Sequence, residues 1–238
     1  YPRKGSVLSL GIYHKDLDGV VGRETIFSGI CNPRAVDANA GNPDLALPVC
    51  TVAGEAGVLV NRISPVNLPG GEIDGIEVAF QHYFRNLPQP FNGLGIIANY
   101  AYQNGSRDQS FTSPAGLNSD GDRQDLPLNF VRLSENSYNF TAFYEKPKWS
   151  ARLRYTYRDV FLVSESTDIS NGFPLYSDDR GQLNASLSVN INKKTALTFS
   201  GVNLLKDRTV QPGVFASGPI ARMMDSDRRV NMGIRIKL

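Results

Sequence analysis

The chain of 238 residues is 41% hydrophobic and 20% charged, with a formal net charge of +2. That composition excludes a disordered chain, and so small a charge, without a basic run, gives no argument for nucleic acid, so none is expected as a partner. No run approaches the roughly 18 apolar residues of a membrane-spanning helix, but a barrel strand crosses with only about 9–11 residues and one apolar face.

The first residues, Tyr1-Pro-Arg-Lys, carry neither Met nor a signal peptide and read as the start of an interior piece or a cleaved product. A first, less regular pair of strands is expected at about 6–15 and 19–30, joined by a short turn at Asp16-Leu17-Asp18. A long connection follows, about 31–72, rich in Gly, Pro, Asn and Ala. It holds the only cysteines, Cys31 and Cys50. A disulfide between them would contribute on the order of 3 kcal/mol and implies an oxidising compartment. Two unrelated thiols are the alternative, and a zinc site would need more ligands than the segment offers.

From residue 76 onward, apolar and polar residues alternate in runs of 8–10, the signature of strands with two unlike faces. The runs are 76–84, 94–103, 137–144, 149–158, 181–190, 196–204 and 230–238, with a phase slip expected near Gly201. In 181–190, Leu183, Ala185, Leu187 and Val189 oppose Gln182, Asn184, Ser186, Ser188 and Asn190. In 149–158, Trp149, Ala151, Leu153, Tyr155 and Tyr157 oppose Ser150, Arg152, Arg154, Thr156 and Arg158. Together with the first pair this gives an all-β, antiparallel architecture of about ten strands.

The connections alternate in length. Residues 16–18, 145–148 and 192–194 are short and 85–92 moderate, whereas about 31–72, 104–135, 159–181 and 205–227 are long. One end of the sheet is therefore trimmed and the other decorated, as in outer-membrane barrels. Rings gather on the apolar sides near strand ends, among them Tyr100, Tyr138, Tyr144, Trp149 and Tyr157. Amphipathic rings favour the membrane–water boundary. Arginines on the polar faces would be costly in a narrow dry interior, so the lumen must be wide and wet or filled by a polar domain. A sandwich with its polar face in water is the soluble alternative.

EIDGIEVAFQHYF (72–84) and PFNGLGIIANYAYQNG (90–105) resemble the C-terminal barrel of TonB-dependent outer-membrane receptors. So do FTAFYEKPKWSARLRYTYRDVFL (140–162), LTFSGVNLLKDRT (197–209) and DRRVNMGIRIKL (227–238). The phrasing is most similar to the proteobacterial branch associated with carbohydrate uptake. The resemblance implies that residues 1–238 are the C-terminal part of a 22-stranded barrel in the outer membrane of a Gram-negative bacterium. It further implies an N-terminal plug domain and further strands outside this chain, with a TonB complex engaged through that missing part. The final Leu238 departs from the family's usual terminal Phe or Trp, although it keeps the apolar character.

On this reading Asn99, Arg152, Arg154, Arg158, Asn184 and Ser186 line the lumen. The loop residues Phe111, Phe161, Phe173, Tyr176, Arg180, Phe215 and Arg222 are the candidate ligand contacts. Aromatic faces beside hydrogen-bonding groups suit sugars, and Arg with aromatics suits anionic iron chelates. Rings that pack loop against loop are the plainer alternative. An oligosaccharide ranks ahead of a ferric siderophore as ligand. Within 118–125, Asp120 and Asp122, with Asn118 and Asp125, offer oxygen ligands for a loop calcium ion, but Gly121 is misplaced for an EF-hand and a solvated loop tip fits as well. His14 and His82 are the only histidines, and no nucleophile elbow, HExxH or phosphate loop occurs, so no enzyme is expected. A stand-alone ten-stranded outer-membrane barrel, enzyme or adhesin, is the alternative.

Overall fold

A computed structural model describes residues 5–32, 49–52, 55–112, 125–166 and 172–236. The sheet begins with β1 (Ser6–Asn32), β2 (Val49–Val52), β3 (Glu55–Tyr83) and β4 (Leu94–Arg107). Beyond a small hairpin of β5 (Ser110–Thr112) and β6 (Asp125–Pro127) come β7 (Asn136–Glu145) and β8 (Trp149–Arg158). A second hairpin, β9 (Phe161–Ser164) with β10 (Leu175–Ser177), precedes β11 (Arg180–Asn190) and β12 (Thr195–Val202). A third, β13 (Arg208–Pro212) with β14 (Ile220–Asp225), precedes β15 (Arg229–Ile236). The main sheet is a meander in the order β1-β3-β4-β7-β8-β11-β12-β15, with β2 attached to β3. The chain divides into two compact units, Tyr1–Lys15 with Glu72–Phe111 and Pro127–Leu238, and Asp16–Gly71 with Thr112–Leu126.

The expected two-faced strands are present, and their register aligns like with like. One row across the apolar face reads Leu94, Tyr144, Ala151, Leu187, Phe199 and Met232. The neighbouring row on the polar face reads Gly95, Phe143, Arg152, Ser186, Ser200 and Asn231. Because the side-chain period is two, a slip of one residue would exchange the faces along a whole strand, so this pattern fixes the pairing. The apolar face carries two aromatic bands. Tyr144 meets Trp149 edge-on at 6.2 Å near the short turns, and Tyr138 stacks on Tyr157 at 4.9 Å near the loops. Trp149 and Tyr157 lie about 27 Å apart along β8 at ~3.4 Å per residue. A usual barrel tilt of about 40° makes that about 21 Å of height, close to an apolar band of ~25 Å.

Three expectations are corrected. No turn forms at Asp16–Asp18, because β1 runs unbroken through it and β3 takes up much of the expected 31–72 loop. Gly70 allows this: a Cβ there would lie 1.6 Å from the Leu17 carbonyl oxygen. The close approach of two backbones outweighs the turn-like Asp-Leu-Asp composition. Among the described residues the main sheet therefore has nine strands, eight along the path and β2 attached to β3, against about ten expected. Finally, no slip occurs at Gly201, which pairs squarely with Ala185. The alternation fails beyond Val202 because the chain turns at Asn203 (φ 55°) and folds Leu204 back against Gly201.

The long connections are not irregular. Each of the last three carries a hairpin of its own, and their apolar residues Leu128, Phe130, Leu162, Pro174, Leu175 and Val214 are buried. On the sheet, by contrast, Phe140, Trp149, Leu153, Met232 and Ile234 are exposed.

Candidate functional site

The polar face of β4, β7, β8, β11 and β12 forms a groove of about 580 Å³. It is lined by Asn99, Arg152, Arg154, Asn184 and Ser186, five of the six residues expected to share a wall, together with Asn139, Thr141 and Ser200. Strand register explains the gathering, since Arg154 lies between Thr141 and Asn184, and Arg152 between Phe143 and Ser186. The Asn139 Oδ1 accepts from Arg154 Nη2 at 3.0 Å and from Thr156 Oγ1 at 2.9 Å. Arg152 Nη2 donates to Glu145 Oε1 at 2.6 Å, whereas Arg154 has no acidic partner among the described residues. Asn184 is partly structural, its Oδ1 accepting from Asn203 N at 3.0 Å.

Arg158 does not join this groove. Its Nε donates to Ser134 Oγ at 2.7 Å, another guanidinium nitrogen donates to the Arg132 carbonyl, and its plane covers the Phe161 ring at 3.9 Å. It holds a loop rather than a wall. Sequence reading also missed Phe143, which sits at a polar-face position yet is buried. Its ring packs edge-on to Tyr83 at 4.8 Å and lies over Gly95, where a Cβ would come within 2.2 Å of it. The signal for it was the glycine directly across, a known device for seating a ring on a neighbouring strand.

The loop residues divide rather than converge. Phe111 and Phe173 meet edge-on at 5.7 Å. Tyr176 pairs with Leu162 in the β9–β10 hairpin, and burial raises its phenol above the ordinary pKa. Arg180 is held by Asp207, Nε to Oδ2 at 3.1 Å. Phe215 is half-buried in the β13–β14 turn, and Arg222 is exposed opposite Gln211. These rings pack largely loop against loop. Asn118, Asp120 and Asp122 lie outside the described residues, and Asp125 accepts from Thr112 Oγ1 at 2.5 Å.

Beneath the loops lies an ion pair that the sequence did not signal. Arg107 Nη1 donates to Glu165 Oε1 at 2.5 Å, with the Arg107 side chain 0% and Glu165 19% exposed. Gln109 Oε1 accepts from the other guanidinium nitrogen at 3.1 Å, and Phe130 lies against it at 5.3 Å. Asn203 is a second hub. Its Nδ2 donates to the Asp207 and Ser226 carbonyls at 3.2 and 2.7 Å, while its Oδ1 accepts from Asp207 N at 2.8 Å. Cys31 and Cys50 form the expected disulfide, with Cα atoms 5.8 Å apart. His14 contacts Asp74 at 2.8 Å, and His82 contacts Ser6 at 2.6 Å between Phe80 and Phe84.

A meander with one exposed apolar face, two aromatic bands, short turns at one end and structured loops at the other is the wall of a membrane-spanning β-barrel. The family model described as TonB dependent receptor-like, beta-barrel, matches residues 1–204, and the chain belongs to that family of receptors, not to an enzyme family. Among solved structures it is similar to the siderophore receptor PiuA from Acinetobacter baumannii, at 13% identity and a TM-score of 0.54. The match covers 98% of this chain and 26% of that one, so the chain spans about a quarter of that receptor's length. At such identity the likeness speaks for the fold alone. No curated protein matches the sequence.

Proposed function

We propose that the chain is part of the wall of a TonB-dependent receptor that imports a bulky nutrient across a Gram-negative outer membrane. The observation that carries this is the contrast between the two faces: large apolar side chains exposed on one, a groove of amides, hydroxyls and arginines on the other. Exposing Phe140, Leu153, Met232 and Ile234 to water would be unfavourable, and facing them to lipid removes that cost. The polar face then lines a lumen shared with further strands and a plug domain. In the cycle this implies, the loops capture ligand outside, and a TonB complex acting from the periplasm moves the plug. The solute then passes along Asn99, Arg152, Arg154, Asn184 and Ser186 without covalent chemistry.

Many small amides and hydroxyls in the groove support an oligosaccharide as the solute. The second reading, an anionic ferric siderophore, draws on Arg154, a cation without an acidic partner among the described residues. Calorimetric titration of the intact receptor with an oligosaccharide series and with ferric siderophores separates the two. Binding of a neutral oligosaccharide that survives Arg154→Gln supports the first reading. A ferric chelate whose binding Arg154→Gln weakens about tenfold, as expected for a lost charge-assisted contact, supports the second. Binding of neither class overturns nutrient uptake.

A further inference from the structure

We propose that the short-turn end of the sheet carries a docking groove for an acidic peptide segment. The groove measures about 510 Å³ and is lined by Pro147, Lys148, residues 190–196 and Arg235. It brings together four cations, Lys148, Lys193, Lys194 and Arg235, from two turns and the last strand. None of the four has an ion-pair partner among the described residues. Glu145, the acid of the first turn, is taken by Arg152 at 2.6 Å.

The frame of the groove is held by side-chain bonds. Asn190 Nδ2 donates to the Pro147 carbonyl at 2.8 Å and Asn190 N to the Lys148 carbonyl at 2.7 Å, tying the β7–β8 turn to β11. Asn192 Oδ1 accepts from the backbone N of both Lys194 and Thr195 at 2.8 Å, which fixes the course of the β11–β12 turn. Neighbouring cations fixed in this way repel one another, and a row of carboxylates relieves that repulsion while forming charge-assisted hydrogen bonds.

The placement argues for a peptide rather than a lipid headgroup. Along these strand ends the apolar face carries Trp149, Val189, Leu197 and Ile234, and no charge. Arg235 pairs with Ala196, and with Asn190 both fall on the polar face. The inference rests on the barrel reading, in which that face looks into the lumen and the groove opens at its trimmed mouth.

The test uses the intact receptor in phosphatidylcholine nanodiscs, whose incorporation checks the barrel reading separately, and a fluorescein-labelled hexaglutamate peptide followed by anisotropy. The expected result is saturable binding that weakens from about 50 to about 500 mM salt. Binding should fall about tenfold in the K148Q/K193Q/K194Q/R235Q variant, as four solvated charge pairs of ordinary strength would give. The K148R/K193R/K194R variant should bind as the parent does, and heat-shifted gel mobility verifies that both variants are folded. No binding, equal binding of a hexaserine peptide, or unchanged affinity in the folded glutamine variant overturns the proposal. A variant that instead loses retained phosphatidylglycerol in native mass spectrometry, with hexaglutamate binding untouched, assigns the groove to lipid and overturns it as well.

Discussion

The same strands end in two ways. At the trimmed end they are closed by turns of a few residues, secured by single asparagines such as Asn190 and Asn192. At the loop end they run into three hairpins that bury Leu162, Pro174, Leu175 and Val214, beside an ion pair whose arginine is buried. The difference follows from chain length. A short turn has few polar groups to satisfy and meets them locally, whereas a connection of twenty or more residues must either stay solvated or build a core of its own. In a wall whose main face is turned to lipid, the water-excluded packing sits under the loops.

That contrast can be broken by substitution. The largest effect is expected from Glu165→Ala, which leaves the enclosed Arg107 guanidinium without its counter-charge and should cost about 4 kcal/mol. Urea unfolding in lipid vesicles measures it, and joint replacement by Arg107→Met and Glu165→Leu should recover most of the loss. If Glu165→Ala is neutral, the loops are wetter than described. Asn203→Ala should cost about 3 kcal/mol, because three side-chain hydrogen bonds go at ~1 kcal/mol each. Its effect should appear as protease cleavage of the β13–β14 hairpin before the barrel unfolds.

At the trimmed end the numbers should be smaller. Asn192→Ala removes an acceptor of two backbone N–H groups at an exposed turn and should cost about 1 kcal/mol. Arg152→Gln breaks the half-exposed pair with Glu145 and should change stability by under about 1 kcal/mol, shrinking further with added salt. A trimmed-end substitution as costly as Glu165→Ala would remove the distinction between the two ends.

The strands were legible because a period of two reports two environments, as the row from Leu94 to Met232 shows, with Phe143 an exception on the polar side. What stayed hidden had no period to show. Strands β9, β10 and β13 are 4, 3 and 5 residues long, too short for alternation to register inside a loop. Arg107 and Glu165 lie 58 residues apart, and only the fold makes them neighbours. The four cations of the trimmed end are likewise spread from 148 to 235, so no basic run announced them. Asp16-Leu17-Asp18 misled for the opposite reason, since its local turn chemistry was overruled by pairing with a strand some fifty residues away. Of the wall residues, five of six shared the groove because a common face follows from parity alone. The loop rings did not converge, because composition names residue types but not their neighbours.

The Phe143 ring lying on Gly95 has a consequence for assembly. A ring of that size needs a vacancy directly opposite, and β4 offers one at Gly95 but a branched side chain two residues on, at Ile97. A hairpin that zipped two places toward the loops would keep its faces correct yet be unable to close over the ring. The pair therefore disfavours that shift, one of the even-numbered misalignments that the two-faced pattern by itself tolerates.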